Sequence, residues 1–230
     1  MLFDLRGRGR RRTVQVIYLS LAILMGGGLV LFGIGSDQSG GLFDAFSDEG
    51  GGSSSATDSL DKQIDAQLAK TRANPRDAGA WAQLASVRFR RAGVDGLRSD
   101  GTYTDEGKRR LGLATTAWER HLALNPKRPN VAAANLMVQA YGQNALNELP
   151  KAVQAKQIVT EAERPPNSNL YAQLAVLAYQ ANDNRTGDLA GNRAVDLAPK
   201  ADREQLRTTL DALKKQAAAQ PEPTSTTQAG

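Results

Sequence analysis

The sequence predicts an all-α protein: a single N-terminal transmembrane helix followed by a helical-repeat (α-solenoid) domain. Three observations carry this. Residues 14–34 form an uncharged, mostly apolar run of 21 residues. From Leu60 onward apolar side chains recur every three or four positions, the period of a helix face. Proline-containing breaks then return along the chain with similar sequence around them.

Composition narrows the chemistry. The 230 residues include no cysteine and one histidine, His121. Disulfides, Cys-ligated zinc, thiol catalysis and a His-rich metal site are therefore excluded. Abundant alanine and leucine, with aromatics at 5%, favour helix. The net charge of +5 is unevenly placed. Arg6, Arg8, Arg10, Arg11 and Arg12 cluster at the front, while Asp37, Asp44, Asp48, Glu49 and Asp58 follow the apolar run. Further along, bases and acids alternate instead of forming a basic stripe interleaved with aromatics. That pattern is a solvated face, and no nucleic-acid binding is expected.

The first element is the apolar run itself, VQVIYLSLAILMGGGLVLFGI, in which only Gln15 and Ser20 are polar outside the glycines. At about 1.5 Å per residue a helix of this length spans about 30 Å, the hydrocarbon thickness of a bilayer. A transmembrane helix is expected over 14–35, with 1–13 as a basic cytoplasmic segment and the chain beyond outside the cytoplasm, because positive flanks stay inside. The rival is a cleaved signal peptide. It fits less well, since the run exceeds the usual apolar core of about 7–15 residues and no small-residue cleavage site follows. An uncleaved anchor in the cell membrane, single-pass, is the expectation. Ala22 and Gly26 form a small-xxx-small pair, which reads either as a helix contact or as ordinary tolerance of glycine in lipid.

Residues 36–58, rich in Gly, Ser and Asp, cannot bury enough apolar surface to order themselves and read as a linker. Leu42, Phe43 and Phe46 make a small apolar island there, either a short interfacial helix or a feature without a role.

The soluble domain is expected over 59–220. Leu60, Ile64 and Leu68 make one helical stripe; Trp81, Leu84, Ala85 and Phe89 make another. Breaks fall at Asn74-Pro75, Asn125-Pro126, Pro165-Pro166 and Ala198-Pro199, where proline ends helices. The segment WAQLASVRF at 81–89 shares its frame with YAQLAVLAY at 171–179, and LMVQAY at 136–141 keeps the leucine and the later aromatic. The segments ATTAWERHLALNP (114–126) and GDLAGNRAVDLAP (187–199) align residue for residue, matching Leu124 with Leu197 and Pro126 with Pro199.

These residues resemble the tetratricopeptide repeat (TPR), a helix–turn–helix unit of about 34 residues with a Trp-x2-Leu-Gly-x2-Tyr, Ala-x3-Phe, Pro pattern. The copy from Ser168 to Ala201 fits best, with Tyr171 and Pro199 at the family's Trp-to-Pro separation. The copy at Trp81 keeps Leu84, Ala85, Ala114, Trp118 and Pro126, but carries an insertion at about 94–110. The copy at 129–165 is degenerate, with Ala152 its one good second-helix match. Residues 59–73 resemble half a repeat and 200–220 a capping helix; 221–230 should be a disordered tail. Stacked pairs bury a continuous core that one pair alone cannot.

No catalytic constellation is present: no P-loop, GxSxG or HExxH pattern occurs. His121 lacks a titrating partner at a telling spacing and reads as a packing residue in preference to a general base. Asp95, Asp100, Asp105 and Glu106 in the insertion lack EF-hand spacing, so no metal is expected. Gly96, Gly101 and Gly107 read as loop, carrying either recognition or nothing. No cofactor is expected, and the chain does not read as an enzyme.

In the resemblance, Phe89, Tyr141 and Tyr179 take one equivalent place on three successive first helices. With Arg90, flanked by Arg88 and Arg91, they make a candidate protein-binding groove: an aromatic ladder with arginines to meet an acidic peptide. Shifted by one residue, the same aromatics take the family's packing-tyrosine place and belong to the core, which is the favoured reading. TPR arrays bind other proteins or peptides. An N-in anchor, tether and extracytoplasmic repeat domain together resemble the ancillary TPR subunit of the bacterial Sec translocon. The resemblance implies a scaffold, chaperone-like at the secretion translocon or beside a membrane-anchored foldase. The alternative is a TPR assembly factor for an envelope complex, as in cytochrome c maturation.

Overall fold

The structure is a computed structural model that describes residues 53–219. The expected segments at 1–13 and 14–35, the linker up to residue 52 and the tail at 221–230 lie outside the described residues. Among the described residues no helix is long and apolar enough to cross a membrane.

Eight helices make up the described part: α1 (Ser53–Ala73), α2 (Ala78–Gly96), α3 (Asp105–Ala123), α4 (Val131–Ala140), α5 (Leu149–Ala162), α6 (Ser168–Gln180), α7 (Asn184–Leu197) and α8 (Arg203–Ala218). Every proline break read from the sequence falls between two of them. α1 begins at Ser53, so the final residues of the stretch read as linker already belong to a helix.

Local chemistry sets most of the starts. Asp77, Thr104, Asn130, Asn167 and Asp183 are the N-caps of α2, α3, α4, α6 and α7, and each side chain accepts a backbone N–H of the first turn. Such caps satisfy donors that the helix itself leaves unpaired. α5 instead carries Pro150 in its first turn, where the missing N–H costs nothing. Asn125, Asn147 and Asn182 take left-handed φ values of 49°, 55° and 59°, the turn conformation that asparagine tolerates.

The helices pack as consecutive hairpins. α2 pairs with α3, α4 with α5 and α6 with α7. α1 lies on α2, α4 touches both α2 and α3, α5 lies on α6, and α8 covers α6 and α7. Among the described residues no Cα of α4 lies within 8 Å of one of α6, although Leu177 of α6 packs against the first core cluster. The core correspondingly falls into two clusters. The first gathers Leu84, Leu111, Trp118, Met137 and Tyr141, with Ile64 and Leu68 of α1 packed against it. The second gathers Leu174, Tyr179, Val195 and Leu210. α5 serves both, with Ala152 and Ala155 in the first cluster and Val153 in the second.

The insertion corrects the sequence reading. Gly96 and Gly107 were expected in a loop, but Gly96 closes α2 and Gly107 stands in the first turn of α3. The extra residues mostly lengthen the two helices, leaving 97–104 as a tight connection closed by an antiparallel bridge between Leu97 and Tyr103. The physical reason is that two glycines let the helices meet backbone to backbone: both are buried, and a Cβ on Gly107 would come within 2.8 Å of Gly96 Cα. Only Gly101, with φ of 79°, is a loop glycine in the expected sense.

Candidate functional site

Phe89, Tyr141 and Tyr179 are all buried. Phe89 and Tyr141 belong to the first core cluster and Tyr179 to the second, so the three do not share one cluster. Arg90 is half-buried on α2.

Its neighbours are committed to internal contacts. Arg88 donates to the Leu113 carbonyl of α3 at 3.0 Å. Arg91, itself buried, pairs with Asp61 of α1 at 2.9 Å and with Asp95 one turn on. Asp95 also lies 3.9 Å from Arg110 of α3, which binds Glu106 at 2.7 Å. Hydrogen bonds from Arg109 and then Arg110 draw the Glu106 carboxyl down to about 2. Of the insertion's acids, Asp95 and Glu106 are thus partners of arginines and Asp100 accepts from Thr102, and among the described residues no cluster of metal-ligating side chains forms.

The two tyrosines end in matching polar groups. The Tyr141 hydroxyl donates to Glu119 of α3 at 3.3 Å; Lys151 of α5 binds the same carboxylate at 2.8 Å and sits 5.5 Å from the ring centre. The Tyr179 hydroxyl donates to Asp188 of α7 at 3.0 Å; Lys214 of α8 binds that carboxylate at 2.7 Å and sits 5.7 Å from the ring. Burial first, and the adjacent Glu119 second, push the Tyr141 phenol upward. Burial and then Asp188 push Tyr179 up to about 12. Both phenols therefore stay protonated at neutral pH. A tyrosine–carboxylate–lysine group of this kind ties neighbouring helices together.

His121 is equally occupied. Its Nδ1 donates to the Ala78 carbonyl at 2.7 Å, its Nε2 accepts the Asn130 N–H at 3.2 Å, and its ring stacks on Trp118 at 4.9 Å. Both nitrogens are used, each in the role of a neutral imidazole. The residue pins α3 to the start of α2 and to the cap of α4.

One polar group was not singled out from the sequence. Lys156 of α5 is 4% exposed and donates to Gln173 Oε1 of α6 at 2.6 Å. Thr160, one turn later, is 1% exposed, and its hydroxyl has no partner among the described residues. Desolvation lowers the Lys156 ammonium to about 8. Its signal in the sequence was a lysine among Ala152, Val153, Ala155 and Val159, on the apolar side of a helix.

Comparison with known proteins identifies no relative: no family model matches the chain, and no curated protein or solved structure matches it.

Proposed function

We propose that this chain is a membrane-anchored, extracytoplasmic scaffold of TPR type that binds other proteins or peptides, working as a chaperone-like accessory of the secretion translocon. The observation that carries the reading is the order of packing: three consecutive helix hairpins, each against the next, closed by α8. Stacked hairpins with a polar terminal helix are the architecture of helical-repeat proteins, whose extended surfaces bind polypeptide. The step from architecture to partner is fold analogy. Two features depart from regular stacking, the lengthened α2 and α3 and the separation of α4 from α6. The apolar run at 14–34 and its arginine lead support an anchor, which would raise the effective concentration of a weak binding surface near the membrane.

The test is crosslinking of the full-length protein in its own cells, with mass spectrometry of what is captured. Translocon subunits or a membrane-anchored foldase are the expected partners. Capture of cytochrome-assembly or wall-assembly proteins instead would move the function to an envelope assembly factor. Recovery of the protein in the soluble fraction, cut near Ser36, would remove the anchor from the reading.

A further inference from the structure

α5 contributes buried residues to both core clusters, and on it stand two buried polar side chains one turn apart, Lys156 and Thr160. Positions four apart share a helix face. A lysine near a protein surface normally keeps its ammonium in water while its stem packs. Lys156, at 4% exposure, does not. Buried charges are normally paired with an opposite charge, yet the ammonium meets only the neutral Gln173 oxygen, and no carboxylate contributes to its environment. An ammonium carries three donors, and one is used among the described residues. The Thr160 hydroxyl likewise has no partner among the described residues.

Gln173 decides how this group reaches the outside. It is half-exposed, so the ammonium lies one side chain beneath the surface. The amide oxygen stands 2.6 Å from Nζ, where an oxyanion would stand, but supplies a dipole in place of a charge. A carboxylate oxygen has the same size and brings the missing unit of charge. A phosphate dianion would leave one charge uncompensated in a closed space, which favours the carboxylate.

We propose that Lys156 anchors a carboxylate subsite, in which an Asp or Glu side chain of a bound protein segment displaces the Gln173 amide and pairs with the ammonium beside Thr160. This rests on the scaffold reading and gives it a ligand chemistry. The basis is charge complementarity: the domain buries a cation for which no described residue supplies an opposite charge.

The experiment compares two blocked peptides, N-acetylated and C-amidated, with a central glutamate or glutamine between glycines. Each is added to the full-length chain at fixed ionic strength while the melting temperature is read. The glutamate peptide should raise the melting temperature of the wild type above the glutamine peptide, and Lys156→Met should lose that difference. Gln173→Glu should melt higher than wild type without peptide and no longer distinguish the two, because the carboxylate is then built in. Equal responses of the wild type to both peptides overturn the subsite, as does a Lys156→Met variant that keeps the difference. A lower melting temperature for Gln173→Glu also overturns it. Any of these failures would leave the scaffold reading to its own test, since that depends on capture in cells and not on a defined peptide.

Discussion

A Cβ added to Gly107 would stand 2.8 Å from the Cα of Gly96, and one added to Gly96 would press into the backbone of Gly107 in turn. The end of α2 and the beginning of α3 therefore touch without side chains between them, at the point where both helices outrun an ordinary repeat. Gly96→Ala and Gly107→Ala should each cost about 1–3 kcal/mol, because backbone has to move to make room. Gly93 and Gly112 lie in the same two helices with nothing within 4 Å of an added methyl. Alanine there should raise stability by about 0.5–1 kcal/mol. Chemical denaturation followed by far-UV circular dichroism ranks the four variants, and equal effects at all four would refute the close crossing.

A second glycine contrast tests the third hairpin. A methyl on Gly187 would enter the ring of Tyr179, while one on Gly191 would meet Leu210 and the Tyr179 hydroxyl at 3.4 Å, an ordinary contact. Gly187→Ala should destabilise by about 1–3 kcal/mol. Gly191→Ala should be neutral or mildly stabilising, since alanine is the better helix former. Thermal melts of the two variants decide it; the opposite order would mean that Tyr179 packs elsewhere.

His121 predicts a loss of stability. His121→Ala strands the Ala78 carbonyl and the Asn130 N–H and removes the ring stacked on Trp118. Buried groups left without partners, together with the cavity, should cost about 2–4 kcal/mol. The denaturation midpoint checks this. A variant as stable as wild type would show that the imidazole is not a staple between α2, α3 and α4.

The helical architecture was legible because apolar period and proline breaks are local signals, and each break does fall between helices. Of the two helical stripes, Leu60, Leu84, Ala85 and Phe89 are buried, while Ile64, Leu68 and Trp81 are partly buried and pack against the core. The insertion misled because glycine has two uses, conformational freedom and absence of bulk. At Gly96 and Gly107 the second applies, and only the opposing backbone reveals it. The arginines of α2 look alike in sequence, yet Arg91 is bound to Asp61, thirty positions away, and Arg88 to a carbonyl of α3. Lys156 was missed because a lysine on an apolar stripe ordinarily snorkels, and its burial depends on how α6 covers α5.

Lys156 also sets a pH dependence that can be isolated. Its ammonium titrates at about 8 in the folded chain, below the ordinary 10.5, because burial disfavours the charge. Between those two values the unfolded chain binds the proton and the folded chain does not, so stability rises with pH across that window. Below about pH 8 both states carry the charge, and the folded state bears the full desolvation cost. A shift of this size corresponds to about 3 kcal/mol. Lys156→Met removes the titration while filling the same space, so it should be more stable than wild type at pH 7, with the gap narrowing as pH rises towards 10.5. Urea denaturation of both proteins across that range measures the gap directly, and a gap that stays constant would show that the Lys156 ammonium is as well solvated in the folded chain as in the unfolded one.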